Sequence, residues 1–104
     1  MKYIKEIKAL KEVSLDLKIG EDFYESQFSG LGAYFKDSIL SDIESLYICA
    51  GIHTRHLGLY RLLSKRFPYA IYYIISDSTA IVVAVMDMRR NPKYIAYTIR
   101  KRNI

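Results

Sequence analysis

Apolar and polar positions change period along the chain, and each change marks an element. Residues 2–8 alternate loosely, as a short first strand would. From Leu10 the spacing becomes helical, and Leu10, Val13, Leu17, Gly20 and Tyr24 fall on one face. Gly20 costs about 1 kcal/mol relative to alanine inside a helix. A close approach of a second helix would account for it. Ser29-Gly30-Leu31-Gly32 breaks the pattern. A second helical face follows through Leu31, Phe35, Ile39, Ile43 and Leu46, with Lys36, Asp37, Ser41 and Glu44 outside. Two helices joined by a glycine turn predict an antiparallel hairpin.

Gly51 closes the second helix, and residues 52–58 read as a loop. Three strands then follow closely: 59–65, Tyr69–Ser76 after the edge-restricted Pro68, and 79–88 after the Asp77-Ser78 turn. The last is apolar on both faces, as a strand covered on both sides must be. Residues 91–104 read as a short helix or a frayed end. The order β-α-α-β-β-β predicts an α+β fold. The helical hairpin packs on a small, twisted, mainly antiparallel sheet. The 104 residues suffice for one domain, 1–104.

Charge divides the chain. Residues 1–52 hold six lysines and nine carboxylates, whereas residues 53–104 hold ten basic residues and only Asp77 and Asp87. All arginines are in the second half: Arg55, Arg61, Arg66, Arg89, Arg90, Arg100 and Arg102. The guanidinium fork suits phosphate and carboxylate, so an anionic partner is expected, either nucleic acid or an acidic protein segment. Solvated basic surface is the plainer account of the same charge.

Little else bears chemistry. Cys49, the single cysteine, lies in an apolar context and excludes an internal disulfide. No Cys, His and carboxylate cluster has metal-ligand spacing, and neither metal nor cofactor is expected. No apolar run is long enough to span a bilayer, and lysines interrupt the N-terminal region, so a cytoplasmic location is expected. His53 and His56 read as loop histidines rather than general bases. Tyr60, Tyr69, Tyr72 and Tyr73 read as strand packing rather than a base-stacking platform.

Three segments, taken in order, carry a family resemblance. They are Asp22-Phe23-Tyr24-Glu25 with Gly30-Leu31-Gly32 and Phe35; Gly58-Leu59-Tyr60-Arg61-Leu62-Leu63; and Phe67-Pro68-Tyr69-Ala70-Ile71-Tyr72-Tyr73 leading to Arg89-Arg90-Asn91-Pro92. Together they resemble the RelE/ParE toxin superfamily, whose sequences are often labelled plasmid stabilisation proteins. The resemblance implies the growth-arresting toxin of a type II toxin–antitoxin system, neutralised by a cognate antitoxin. Two activities occur on this scaffold, so the fold does not choose between them: cleavage of mRNA in the ribosome, as an mRNA interferase, and inhibition of DNA gyrase.

For the ribonuclease, the resemblance implies Arg61 and Arg89 as catalytic cations and Tyr94 as a stacking or proton-transfer group. Lys65, Arg66, Arg90 and Lys93 would be target contacts. Position 70, where RelE-like enzymes carry a catalytic arginine, is alanine here, which puts the chemistry in doubt. Arg61 has a second reading as an edge-strand arginine lying along the sheet. Arg89 shares a strand face with Asp87 and has a second reading as that residue's ion-pair partner, while Arg90 points to the other face. A non-toxic basic RNA-binding module and a catalytically degenerate family member are the alternatives.

Overall fold

The computed structural model describes residues 3–102. Strand β1, Glu6–Ala9, leads into helix α1, Glu12–Gln27. Helix α2, Leu31–Glu44, and a single turn, α3, Leu46–Cys49, follow. A two-residue strand β2, Arg55–His56, precedes β3, Leu59–Leu63, β4, Tyr69–Ser76, and β5, Thr79–Asp87. Helix α4, Pro92–Arg100, is the last described element.

The five strands lie in the order β1-β5-β4-β3-β2. The pairs β2–β3, β3–β4 and β4–β5 are antiparallel, whereas β1 runs parallel to β5, with Glu6 opposite Thr79 and Ala9 opposite Val82. The architecture is therefore α+β with a mainly antiparallel sheet, as the periodicity predicts. Three details differ. The first strand begins at Glu6, not residue 2, which lies outside the described residues. The second helix is interrupted at Ser45, whose hydroxyl bonds back to the Asp42 carbonyl at 2.6 Å. The expected loop 52–58 contains β2. Of the two readings of the tail, the short helix is the one formed: it starts at Pro92, with the Asn91 side chain accepting the Lys93 N–H at 2.8 Å as an N-cap.

Glycine makes the hairpin tight. A Cβ on Gly20 would lie 2.5 Å from the Phe35 ring, and one on Gly32 would lie 2.6 Å from the Glu21 carbonyl oxygen. Gly30 adopts φ +89°, open to glycine at little cost. The Glu25 carboxylate of α1 accepts the N–H groups of Gly30 and Gly32 at 3.1 and 3.0 Å. An acid from one helix thus satisfies amides at the positive end of the next.

The sheet is buried on both faces, which explains the doubly apolar β5. On one side the hairpin packs Val13, Tyr24, Phe35 and Ile39, and α3 adds Leu46, against Tyr69, Ile71, Tyr73, Val82 and Val85. On the other, Ile95 and Ile99 of α4 pack on Leu59, Ala70, Tyr72, Ala84 and Met86. Between these layers β5 contains a bulge. Tyr72 faces Ala84 while its neighbour Tyr73 faces Val82, leaving Val83 unpaired and reversing the alternation that follows.

Candidate functional site

On the α4 side of the sheet, Arg61 stands directly opposite Tyr72 in the β3–β4 register. The two line an open cleft of about 230 Å³ together with His56, Leu57, Met88, Arg90 and α4 residues Pro92, Ile95 and Ala96. Tyr72 donates to the Met88 sulfur at 3.7 Å. Each contributor has a local cause. β2 pairing places His56 opposite Leu59. The reversed alternation after Val83 turns Met88 toward α4. The short connection to Pro92 brings Arg90 to the cleft mouth, its guanidinium 4.0 Å from the Tyr94 ring centroid. Two guanidinium groups beside an imidazole on an apolar floor can hold a phosphate or carboxylate group.

Arg89 faces the other way. Its side chain grips Asp87 through two bonds of 2.9 and 2.8 Å, and its backbone N–H adds a third of 2.9 Å. The same guanidinium reaches Tyr24 Oη at 3.4 Å and lies 5.6 Å from the Phe23 ring centroid, on the hairpin side. Burial pushes the Asp87 carboxyl upward, but the bonds and charge of Arg89 outweigh it and hold the pKa below the ordinary value. The pairing with Asp87 raises Arg89 in turn. Nearby, burial pushes the Tyr69 hydroxyl up to about 12. Arg61 and Arg89 therefore occupy opposite faces of the sheet and share no cleft. The pairing reading of Arg89 is the one its geometry matches.

The remaining sequence candidates disperse. Tyr94 is exposed and sits beneath Arg90. Lys65 and Arg66 are exposed in the β3–β4 connection, and Lys93 is exposed on the first turn of α4; none lines the Arg61 cleft. Ala70 is fully buried, under α4. His53 is partly buried, and its Nδ1 meets Tyr73 Oη, which also accepts the Gly51 N–H at 2.9 Å. Burial lowers the His53 pKa and raises that of Tyr73. The sequence pattern does not mark His56, Tyr72 or Met88 as cleft residues, because the β2 pairing, the Arg61–Tyr72 register and the β5 bulge that bring them together exist only in the fold. Among the described residues no group of three His, Cys, Asp or Glu side chains is placed to hold a metal ion. No helix among them is long and apolar enough to cross a membrane.

A helical hairpin on one face of this strand order, with a terminal helix on the other, is a RelE/ParE-like fold. No family model matches the chain, and no curated protein matches it. A chain from the solved structure described as "Chromosomal ParDE TA system from P. aeruginosa" superposes with a TM-score of 0.71. The match covers 83% of this chain and 98% of that one at 15% sequence identity. At that identity the likeness establishes the fold.

Proposed function

We propose that this chain is the toxin of a type II toxin–antitoxin pair, acts in the bacterial cytoplasm by binding DNA gyrase, and is neutralised by a cognate antitoxin. The observation that carries the toxin reading is the superposition of most of this chain on nearly all of a chain of a ParDE toxin–antitoxin system. Binding is favoured over RNA cleavage by the separation of Arg61 from Arg89 and by the alanine at position 70. Cleavage at a 2′-hydroxyl needs cations converging on one phosphate, and one lost stabilising donor costs about 3–4 kcal/mol of barrier. Inhibition by binding needs only a complementary surface. The test compares gyrase supercoiling with ribosome-dependent mRNA cleavage on the purified protein, beside a growth assay in bacteria expressing the chain alone. Loss of supercoiling with intact mRNA supports the reading; normal growth at confirmed soluble expression overturns it.

A second reading rests on the cleft itself. Arg61, Arg90 and His56 share one opening, which suits a phosphate backbone. Under that reading the chain cleaves mRNA, and Arg61→Ala abolishes cleavage without changing stability. Full cleavage in Arg61→Ala excludes this cleft as the ribonuclease centre.

A further inference from the structure

Leu57 and Gly58 join β2 to β3, and both have positive φ, +57° and +76°. A two-residue hairpin loop of this kind favours Asn-Gly or Asp-Gly. Asparagine and aspartate tolerate the left-handed region, whereas a bulky apolar side chain is strained there. The β4–β5 turn keeps to that preference, with Asp77 at φ +55°. The β2–β3 turn breaks it. Arg55 holds the tip in place: its guanidinium donates to the Gly58 carbonyl at 2.8 Å and lies 4.8 Å from the Tyr60 ring centroid. Folding gains little from the leucine in return, because its side chain stays 46% exposed. Backbone strain kept without a gain in packing collects at places that serve a ligand or partner.

Leu57 stands between two openings. One is the Arg61 cleft, where His56, Arg61 and Arg90 also face in. The other, of about 360 Å³, lies between the hairpin tip and the end of α4, and Leu59, Ile99, Arg100 and Arg102 complete it. Arg102 is already engaged by Asp16, whereas Arg100 is exposed. Among the described residues no carboxylate lines either opening. The leucine is thus an apolar knob with arginines on both sides. Its complement is an apolar socket ringed by carboxylates. A phosphate backbone suits the arginines but offers nothing for the leucine to bury against.

We propose that Leu57 is the residue through which this chain grips its protein target. It enters an apolar socket on an acidic protein surface, and Arg61, Arg90 and Arg100 meet the carboxylates around it. The inference rests on the gyrase-binding reading above. It adds which face of the chain is used and the chemistry of the surface it meets.

The test measures affinity for gyrase holoenzyme, beside thermal midpoints, for the full chain and three variants made by cell-free synthesis. Leu57→Ala and Leu57→Asn are expected to bind about tenfold or more weakly, as when a leucine no longer buries its side chain at a contact. Leu57→Met keeps an apolar side chain and most of the affinity. Stability follows a different order. Leu57→Asn melts about 3 °C or more above Leu57→Ala, since both lose the same apolar contacts and only asparagine suits positive φ. Binding of the unaltered chain weakens with salt. Equal binding by Leu57→Asn and the unaltered chain overturns the proposal and leaves the gyrase reading standing. Affinities that follow the midpoints overturn it as well, because the leucine is then structural. So does an asparagine variant no more stable than the alanine variant, which shows no strain at position 57. Binding indifferent to salt removes the carboxylate ring. Leu57-dependent binding to duplex DNA without gyrase makes the partner a nucleic acid, and either result overturns the proposal. No binding by the unaltered chain overturns the gyrase reading and the proposal together.

Discussion

Arg102, just beyond the end of α4, forms a two-pronged ion pair with Asp16 in α1 across the edge of β5. Their side chains are 9% and 10% exposed. The pair joins the helical hairpin, the sheet edge and the C-terminal helix, elements that otherwise cover opposite faces of the sheet.

Removing one member leaves the other charge buried without its counterpart. Asp16→Asn or Arg102→Ala is expected to destabilise the fold by about 3–5 kcal/mol. Urea unfolding measures this, and a loss below about 1 kcal/mol would show that water replaces the missing partner. The double variant Asp16→Leu with Arg102→Leu should lose less than the two single losses added together, because neither charge is then stranded.

Gly20→Ala tests the hairpin contact. Alanine favours the helix by about 1 kcal/mol, but its methyl group would meet the Phe35 ring at 2.5 Å. Overpacking costs about 1–3 kcal/mol and outweighs the propensity gain. A lower thermal midpoint is expected, with partial recovery on adding Phe35→Leu. A raised midpoint for Gly20→Ala alone would mean that the ring moves aside freely.

Acid weakens the fold in two windows. Burial lowers the His53 pKa from its ordinary 6.5, so the unfolded chain takes up the proton first. Stability from neutral His53 is complete above pH 6.5 and declines as pH falls toward the folded value. His53→Gln should flatten the fall in stability as pH drops below the ordinary histidine value of 6.5. The Asp87 pKa, held below its ordinary 3.8 mainly by Arg89 against the opposing effect of burial, acts lower. Its contribution is present above that value and is lost as pH falls through the depressed one. Asp87→Asn removes that acid-range loss. Chemical denaturation across pH separates the windows, and an unchanged profile in either variant refutes its assignment.

Arg89→Ala and Arg61→Ala should part company. The first removes three contacts on the hairpin side and costs about 1 kcal/mol, discounted because Arg89 is half-exposed. The second is expected to leave stability within about 0.5 kcal/mol and to change only what the cleft binds. Thermal denaturation beside the gyrase and cleavage assays distinguishes them. Similar stability losses in both would remove the division between a structural and a ligand-facing arginine.

The helical stretches were legible because their apolar residues recur on one face, and Gly20 signals the close approach of the second helix. β4 was legible at both ends because Pro68 and the Asp77-Ser78 turn bracket it. Two features were hidden. β2 is too short to impose a period, so His56 passed as a loop residue. The bulge at Val83 leaves no trace in a run of apolar residues, yet it decides that Met88 joins Arg61 while Asp87 carries Arg89 to the far side. The contact between Asp16 and Arg102 was equally hidden, because charge patterns reveal neighbours along an element and not partners brought together by the fold.

The parallel pairing of β1 with β5 sets an order of assembly. Glu6 meets Thr79, so the first strand has no partner until nearly all the meander has left the ribosome. The hairpin and the β3–β4–β5 ribbon close over short loops, whereas this pairing closes over most of the chain and bears the larger entropic cost. A nascent chain stalled before residue 79 would hold its helices with the first strand unattached, and synthesis of β5 would be the event that locks the two ends together.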